Sequence, residues 1–253
     1  MKADRKQIAL ITGGNRGLGL QTARELGRLG IPAVLGVRDP AEGASAARRL
    51  ESEGFVADVV HLDVADPATH AAAYLDLERR YGKLDILINN AGIWRESTTS
   101  SSYVPGDNRT SSLAIEILRE TFETNFFGSV QLTQRLLPLI RKAPAGRIVN
   151  VSSIMGSLTL QSDPASPIYP HKVFAYDASK TALNAFTVHL AHELRDTPVK
   201  VNSAHPAWVR TDMGGEFAGL DISEGGKTSA WLATLPADGP AGGFFHLGQR
   251  LPW

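Results

Sequence analysis

Tyr176 and Lys180 stand four residues apart in Tyr-Asp-Ala-Ser-Lys, a spacing that puts both side chains on one face of a helix. A free phenol titrates at about 10, too high for ready proton exchange at neutral pH. An ammonium beside it stabilises the phenolate, so the pair reads as an acid/base unit. By itself the pair is common on solvated helices, and its weight comes from its companions. Ser152 and Ser153 close one apolar run, where a hydroxyl can hold a substrate oxygen, and Asn89-Asn90-Ala91-Gly92 closes another.

A second constellation lies near the N-terminus, in Thr12-Gly13-Gly14-Asn15-Arg16-Gly17-Leu18-Gly19. It follows a strand-like run and opens a helical one. Glycines let the backbone turn tightly and approach a pyrophosphate, and the helix start supplies free amides and a positive dipole end. At the end of the next strand, where an NAD enzyme usually carries a carboxylate, the chain has Val37-Arg38. An arginine there meets a 2′-phosphate with charge-assisted bonds, and Arg16 reaches the same region, so NADP(H) is favoured over NAD(H). Asp39 pulls slightly the other way, and either arginine can also be read as a solvated surface charge.

These residues need a frame. Short runs rich in Val, Ile and Leu recur about every 25 residues, at 7–12, 33–37, 56–63, 84–89, 147–152 and 199–204, and read as buried strands. Helical periodicity fills 18–29, 41–53, 67–81, 113–140 and 173–194 between them. Alternating strand and helix predicts an α/β chain: a doubly wound parallel sheet of Rossmann type, helices on both faces, ligands outside the carboxyl ends of the strands. Two stretches break the rhythm: 97–112, rich in Ser and Thr, and 157–172, with three prolines. Both read as loops at the carboxyl end of the sheet, bordering substrate or simply tolerated there.

Length and composition set the outer limits. The 253 residues suit one large domain spanning 1–253. With 26 basic and 26 acidic residues spread along the chain, there is no footprint for nucleic acid or an anionic membrane, and a small-molecule partner fits better. Cysteine is absent, which removes disulfides and thiolate chemistry. No secretory leader or apolar run of spanning length is visible, so the cytoplasm is the expected compartment; Asn108-Arg109-Thr110 then matches a glycosylation acceptor by chance. His61, His70, His189, His192, His205 and His246 lack companion carboxylates at a metal-binding spacing, and no metal is expected. His171 and Lys172, just before Tyr176, are read as a solvent-facing loop pair, with contact to substrate as the alternative. Trp94, Tyr103, Trp208, Phe217 and Trp231 are candidates for an aromatic substrate wall, or for core packing.

Taken in order, residues 12–19, Asp63, 89–92, Asn125 within Thr-Asn-Phe-Phe-Gly, the run 147–153, Tyr176 with Lys180, and 206–211 resemble the short-chain dehydrogenase/reductase family over nearly the whole chain. Thr124 to Gly128, Trp208 to Met213 and the Trp-terminated tail from Gly243 look most like its NADPH-dependent carbonyl reductase group. The resemblance implies that Tyr176 gives a proton to the carbonyl oxygen, that Ser153, three before Gly156, holds that oxygen, and that Lys180 lowers the phenol's pKa and binds the nicotinamide ribose. Asn125 would hold a relay water. Asp63 and Val64 would contact adenine, Asn90, Ala91 and Gly92 would line the ribose, and Pro206, Val209 and Thr211 would meet the nicotinamide end, with the turn residues Gly13, Asn15, Arg16, Gly17, Leu18 and Gly19 on the phosphates.

Two departures stand out. Pro206-Ala207 replaces the family's usual Pro-Gly, and Ser153 and Tyr176 lie 23 positions apart, roughly ten more than is common in the family. The longer insertion accompanies monomeric relatives, which leaves monomer and homo-oligomer both open. The expected activity is reduction of a ketone, aldehyde or quinone. Alternatives are an NAD(P)+-dependent alcohol or steroid dehydrogenase and, in a different class, a dinucleotide sensor without catalysis.

Overall fold

The computed structural model describes residues 7–96, 109–216 and 218–253. The apolar runs become β1 (Ala9–Thr12), β2 (Ala33–Val37), β3 (Ala57–His61), β4 (Ile86–Asn89), β5 (Arg147–Val151) and β6 (Lys200–Ala204), joined by β7 (Phe244–His246) and β8 (Gln249–Arg250). They form one sheet in the order β3-β2-β1-β4-β5-β6-β7-β8. All neighbours are parallel except the last pair, in which β8 turns back antiparallel to β7. The direction in which strands are added to the sheet therefore reverses after β3, and the carboxyl ends of β1 and β4 flank the crevice where such sheets bind ligands.

The helices are α1 (Gly17–Arg28), α2 (Pro40–Ser52), α3 (Pro67–Tyr81), α4 (Ile115–Phe122), α5 (Gly128–Ile140), α6 (Leu158–Ser162), α7 (Phe174–Glu193), α8 (Ile222–Gly225) and α9 (Lys227–Ala233). Alternate strand residues face opposite layers: Ile11, Ile86 and Ile88 pack with α1, α2 and α9, whereas Leu10, Leu87 and Ile148 pack with α3, α5 and α7. Both layers are dry, which is why the strands read as continuous apolar runs rather than alternating ones. No helix among the described residues is long and apolar enough to cross a membrane.

Several expectations are refined. The helix expected over 113–140 is α4 and α5 joined by a π-helical segment, Glu123–Phe127. The stretch 157–172 contains α6, started by Ser157, whose Oγ accepts from Leu160 N at 3.2 Å. The strands β7 and β8 fall in the tail and are too short for periodicity to reveal. Residues 97–108, with Tyr103, and Phe217 lie outside the described residues.

The helix starts differ in a way that matters below. Asp39 and Asp66 cap α2 and α3 through Ala41 N and Ala68 N at 2.8 and 2.9 Å, each with proline at the first helical position. The residues before α1 and α7, Arg16 and Val173, provide no side-chain cap.

Candidate active site

The turn between β1 and α1 is built by glycine. Gly13 and Gly17 have φ of 63° and 52°, in the left-handed region. At Gly19 a Cβ would come within 2.3 Å of Gly13 O and 2.7 Å of Asn90 Nδ2, so any side chain would push the turn open. Thr12 braces it from below, its Oγ1 accepting from Asn90 N and Ala91 N at 2.9 Å each, while Asn90 Nδ2 donates to Thr12 O at 2.7 Å. Asn90 thus shapes the turn rather than projecting freely along the crevice. Thr12 is a structural contributor that the sequence reading did not single out.

The loop after β6 covers the other side of this turn. Thr211 Cγ2 is 3.8 Å from where a Cβ on Gly17 would sit, and Val209 packs beside Gly225, which also meets Leu18. Arg16 Nη1 reaches across to Asp212 at 2.8 Å, an exposed pair, so this cation is already engaged. Asn15 is engaged too, donating to Glu42 Oε2 at 2.7 Å. Arg38 is exposed and its side chain has no hydrogen bond or ion pair with any described residue. Beside it Leu62 N bonds to Val37 O at 2.8 Å, which sets Asp63 next to the end of β2; Asp63 Oδ1 accepts from Ala65 N at 3.0 Å, and Val64 is buried. Ala207 has φ of 70°, a left-handed conformation that favours glycine, so the departure at this position carries backbone strain.

The catalytic candidates converge from three segments. Ser153 lies near enough to the Tyr176 phenol to favour its ionisation. Ser153 Oγ also accepts from Met155 N at 3.2 Å, at the start of a short 3-10 turn, whereas Ser152 is buried with its Oγ on Lys180 O at 3.4 Å. Lys180 is buried, its Nζ donates to Val151 O at 2.9 Å, and it lies 5.6 Å from the centre of the Tyr176 ring. Gly92 adjoins both Lys180 Nζ and Asn125 Oδ1, at 3.5 and 3.3 Å from its would-be Cβ.

Burial governs the ionisation of the pair. It pushes the Lys180 ammonium down to about 8 and the Tyr176 phenol up to about 12, with the neighbouring Ser153 opposing the latter.

Asn125 is buried in the π-helical segment, whose extra residue turns it inward. Its Oδ1 accepts from Ile93 N at 2.8 Å, and its Nδ2 donates to Ile93 O and Ser179 Oγ at 2.9 and 3.0 Å. Both amide hydrogens and one acceptor site of the carboxamide clamp the segment after β4 to α7. Below it a buried polar chain links the sheet to α7: Asn89 Nδ2 to Asn150 Oδ1 at 2.8 Å, Asn150 Nδ2 to Thr187 Oγ1 at 2.8 Å, and Thr187 Oγ1 with Ser203 Oγ at 2.8 Å.

Of the aromatic candidates, Trp94 stacks on Tyr176 at 5.3 Å and 21° between ring planes. Trp208 is exposed with its Nε1 on Gly214 O at 2.8 Å. Trp231 packs on Phe245 at 5.5 Å against the core, so it is no part of a substrate wall. The 157–172 stretch is tied to the catalytic helix: Gln161 Nε2 donates to Asp177 Oδ2 at 3.0 Å, and Lys172 Nζ donates to Gln161. The tail supports it from beneath, through Thr159 N to Trp253 O at 2.8 Å and the Trp253 ring stacked on Phe244 at 5.7 Å. Glu96, which the sequence reading passed over, accepts from Ala175 N and Tyr176 N. The signal for it was indirect: a 20-residue helix whose start, Val173, offers no capping oxygen.

A family model described as short chain dehydrogenase matches residues 7–219. Carbonyl reductase [NADPH] 1 from Homo sapiens is 33% identical over 97% of this chain and 98% of its own. A (+)-neomenthol dehydrogenase from Capsicum annuum is 30% identical over 97% of both. Among solved structures, NADPH-bound carbonyl reductase from chicken fatty liver superposes with a TM-score of 0.81 at 27% identity, over 98% of this chain and 100% of the other. Matches of this extent, together with the glycine turn and the Ser153, Tyr176 and Lys180 cluster, mean that the chain belongs to the short chain dehydrogenase family of oxidoreductases.

Proposed function

We propose that the chain is, across its whole length, a single-domain NADPH-dependent reductase of ketones, aldehydes or quinones, with Tyr176 as proton donor. The observation that carries this reading is the convergence of Tyr176 and Ser153 on the buried Lys180, whose Nζ lies 5.6 Å from the centre of the Tyr176 ring. The relatives named as carbonyl reductases using NADPH support the same assignment.

The crevice fits a dinucleotide phosphate. The turn at Gly13, Gly17 and Gly19 leaves a cradle that a Cβ would fill, and the uncapped start of α1 offers amides to a pyrophosphate. Arg38, whose side chain has no hydrogen bond or ion pair with any described residue, would meet a 2′-phosphate, with Asp63 and Val64 toward adenine. Asn90, Ala91, Gly92 and Lys180 would border the nicotinamide ribose, and Pro206, Val209 and Thr211 the carboxamide. Bound NADPH supplies the hydride that reduces the carbonyl carbon.

The chain's own residues handle the oxygen and its proton. As charge builds on the oxygen, Ser153 and Tyr176 hold it by hydrogen bonds and Tyr176 transfers its proton. The Lys180 ammonium, fixed by Val151 O, stabilises the phenolate left behind. Asn125, with both amide hydrogens committed to Ile93 and Ser179, would hold a relay water through an acceptor oxygen. Trp94 and Trp208 offer aromatic surface to the substrate.

Measuring NADPH oxidation against a panel of carbonyl compounds tests the proposal. Tyr176→Phe should lower kcat by about 10²–10⁴-fold, the usual contribution of a general acid, with the NADPH dissociation constant unchanged. Undiminished turnover in that variant overturns it. A second reading, oxidation of an alcohol with NAD(P)+, uses the same residues in reverse and is favoured by the relative named (+)-neomenthol dehydrogenase.

A further inference from the structure

The helix that carries Tyr176 begins without a cap of its own. Val173 has no side-chain oxygen, yet the amides of the first turn have no intrahelical partners. Two of them are met from a distant part of the chain: Glu96 Oε1 accepts from Ala175 N at 2.7 Å and Glu96 Oε2 from Tyr176 N at 2.8 Å. The carboxylate is 8% exposed, and its charge lies at the positive end of the helix dipole. These are the bonds that a local Ser or Asp cap would form, supplied across 79 and 80 positions of sequence. One of them ends on the backbone nitrogen of Tyr176 itself.

The anchor continues in the three residues before Glu96. Ile93 is held at both N and O by Asn125. Trp94 lies on the Tyr176 ring. Arg95 turns the other way and pairs with Glu120 of α4 at 2.7 Å. The segment leaving β4 therefore grips the tyrosine twice, by its main chain through Glu96 and by its ring through Trp94.

We propose that Glu96 is a positioning residue for the reaction: its carboxylate fixes the first turn of α7, and with it the placement of the Tyr176 hydroxyl against Ser153. The assignment rests on the proton-donor reading of Tyr176. A mispositioned general acid slows the chemical step while leaving the glycine turn and its ligand untouched.

Glu96→Ala removes both bonds. Glu96→Gln keeps the size and one acceptor but sets an amide donor against a backbone donor, and Glu96→Asp keeps the charge on a shorter arm. Turnover is expressed per NADPH site counted by fluorescence titration, so that only folded protein is scored. Glu96→Ala and Glu96→Gln are expected to lower kcat at least tenfold, leave the NADPH dissociation constant within twofold, and enlarge the primary isotope effect with C4-deuterated NADPH. Glu96→Asp should recover part of kcat. Full turnover per site in the Ala and Gln variants overturns the proposal, as does parallel loss of NADPH sites and turnover in all three, which makes Glu96 a determinant of the fold alone. Tyr176→Phe run alongside separates the two readings. If that variant is fully active the proton-donor assignment fails, whereas if it is inactive and the Glu96 variants are normal, only the role of Glu96 fails.

Discussion

Among the described helices that start without a side-chain cap, α1 and α7 use the vacancy in opposite ways. At α1 the approach is kept clear by Gly13, Gly17 and Gly19, and the amides face the crevice. At α7 the vacancy is filled by Glu96, and the helix start becomes a fixed support for Tyr176. The same unsatisfied N–H groups serve as a ligand cradle in one place and as an attachment point in the other. What decides between them is whether a carboxylate of the chain reaches the site first.

Filling the open terminus is the most severe way to break this contrast. Gly19→Ala sets a Cβ 2.3 Å from Gly13 O; overpacking of this kind destabilises by about 1–3 kcal/mol. Here it also closes the cradle, so NADPH affinity in a fluorescence titration should fall by about 100-fold, or roughly 2.7 kcal/mol.

At the supported helix the expected effect follows pH. Lys180 is pushed down to about 8 from 10.5 by burial, so its ammonium is lost as pH rises through about 8. Carbonyl reduction should then fall by about tenfold per unit on the alkaline side. Stability should move the other way: between about 8 and 10.5 the unfolded chain binds the extra proton, so folding becomes more favourable with rising pH. Lys180→Met should abolish that rise in denaturant titrations at pH 8 and pH 10, and a wild-type profile that persists in the variant contradicts the assignment.

The two arginines near the cradle sharpen the comparison on a smaller scale. Arg38→Ala should weaken NADPH by about tenfold or more, the worth of a charge-assisted bond, and leave NADH nearly unchanged. Arg16→Ala should cost only about two- to threefold, since Arg16 is already paired with Asp212 in an exposed bridge. Equal losses in a titration series would mean that the Asp212 pair opens on binding. The smallest effect is expected at Ala207, whose φ of 70° suits glycine; Ala207→Gly should stabilise by up to about 1 kcal/mol in thermal unfolding, as strain relief outweighs the added chain entropy.

The contrast between the two helices also explains what could be read from sequence. The cradle is local: residues 12–19 carry strand end, turn and helix start in one short string, so residue types alone announce it. Tyr176 and Lys180 are similarly legible because helical spacing fixes their shared face. Glu96 is not, because nothing in its neighbours says that a helix 79 positions later lacks a cap. The pairing of Arg16 with Asp212, and of Asn15 with Glu42, is hidden for the same reason. The strands β7 and β8, of three and two residues, are too short for a period to register. The rise of the Tyr176 pKa depends on how much water is excluded, which a list of residues does not state.

The π-helical segment Glu123–Phe127 has a consequence for how this chain can change. A regular helix advances by about 100° per residue, whereas the wider turn here takes up one extra residue while its flanks stay nearly in phase. Deleting that residue would restore ordinary bonding and keep Leu132, Leu136 and Leu139 on the sheet, but it would flatten the bulge that brings Asn125 to Ile93 and Ser179. The irregular turn therefore acts as a spacer between substrate side and core, and a single-residue deletion across it should cost more activity than stability.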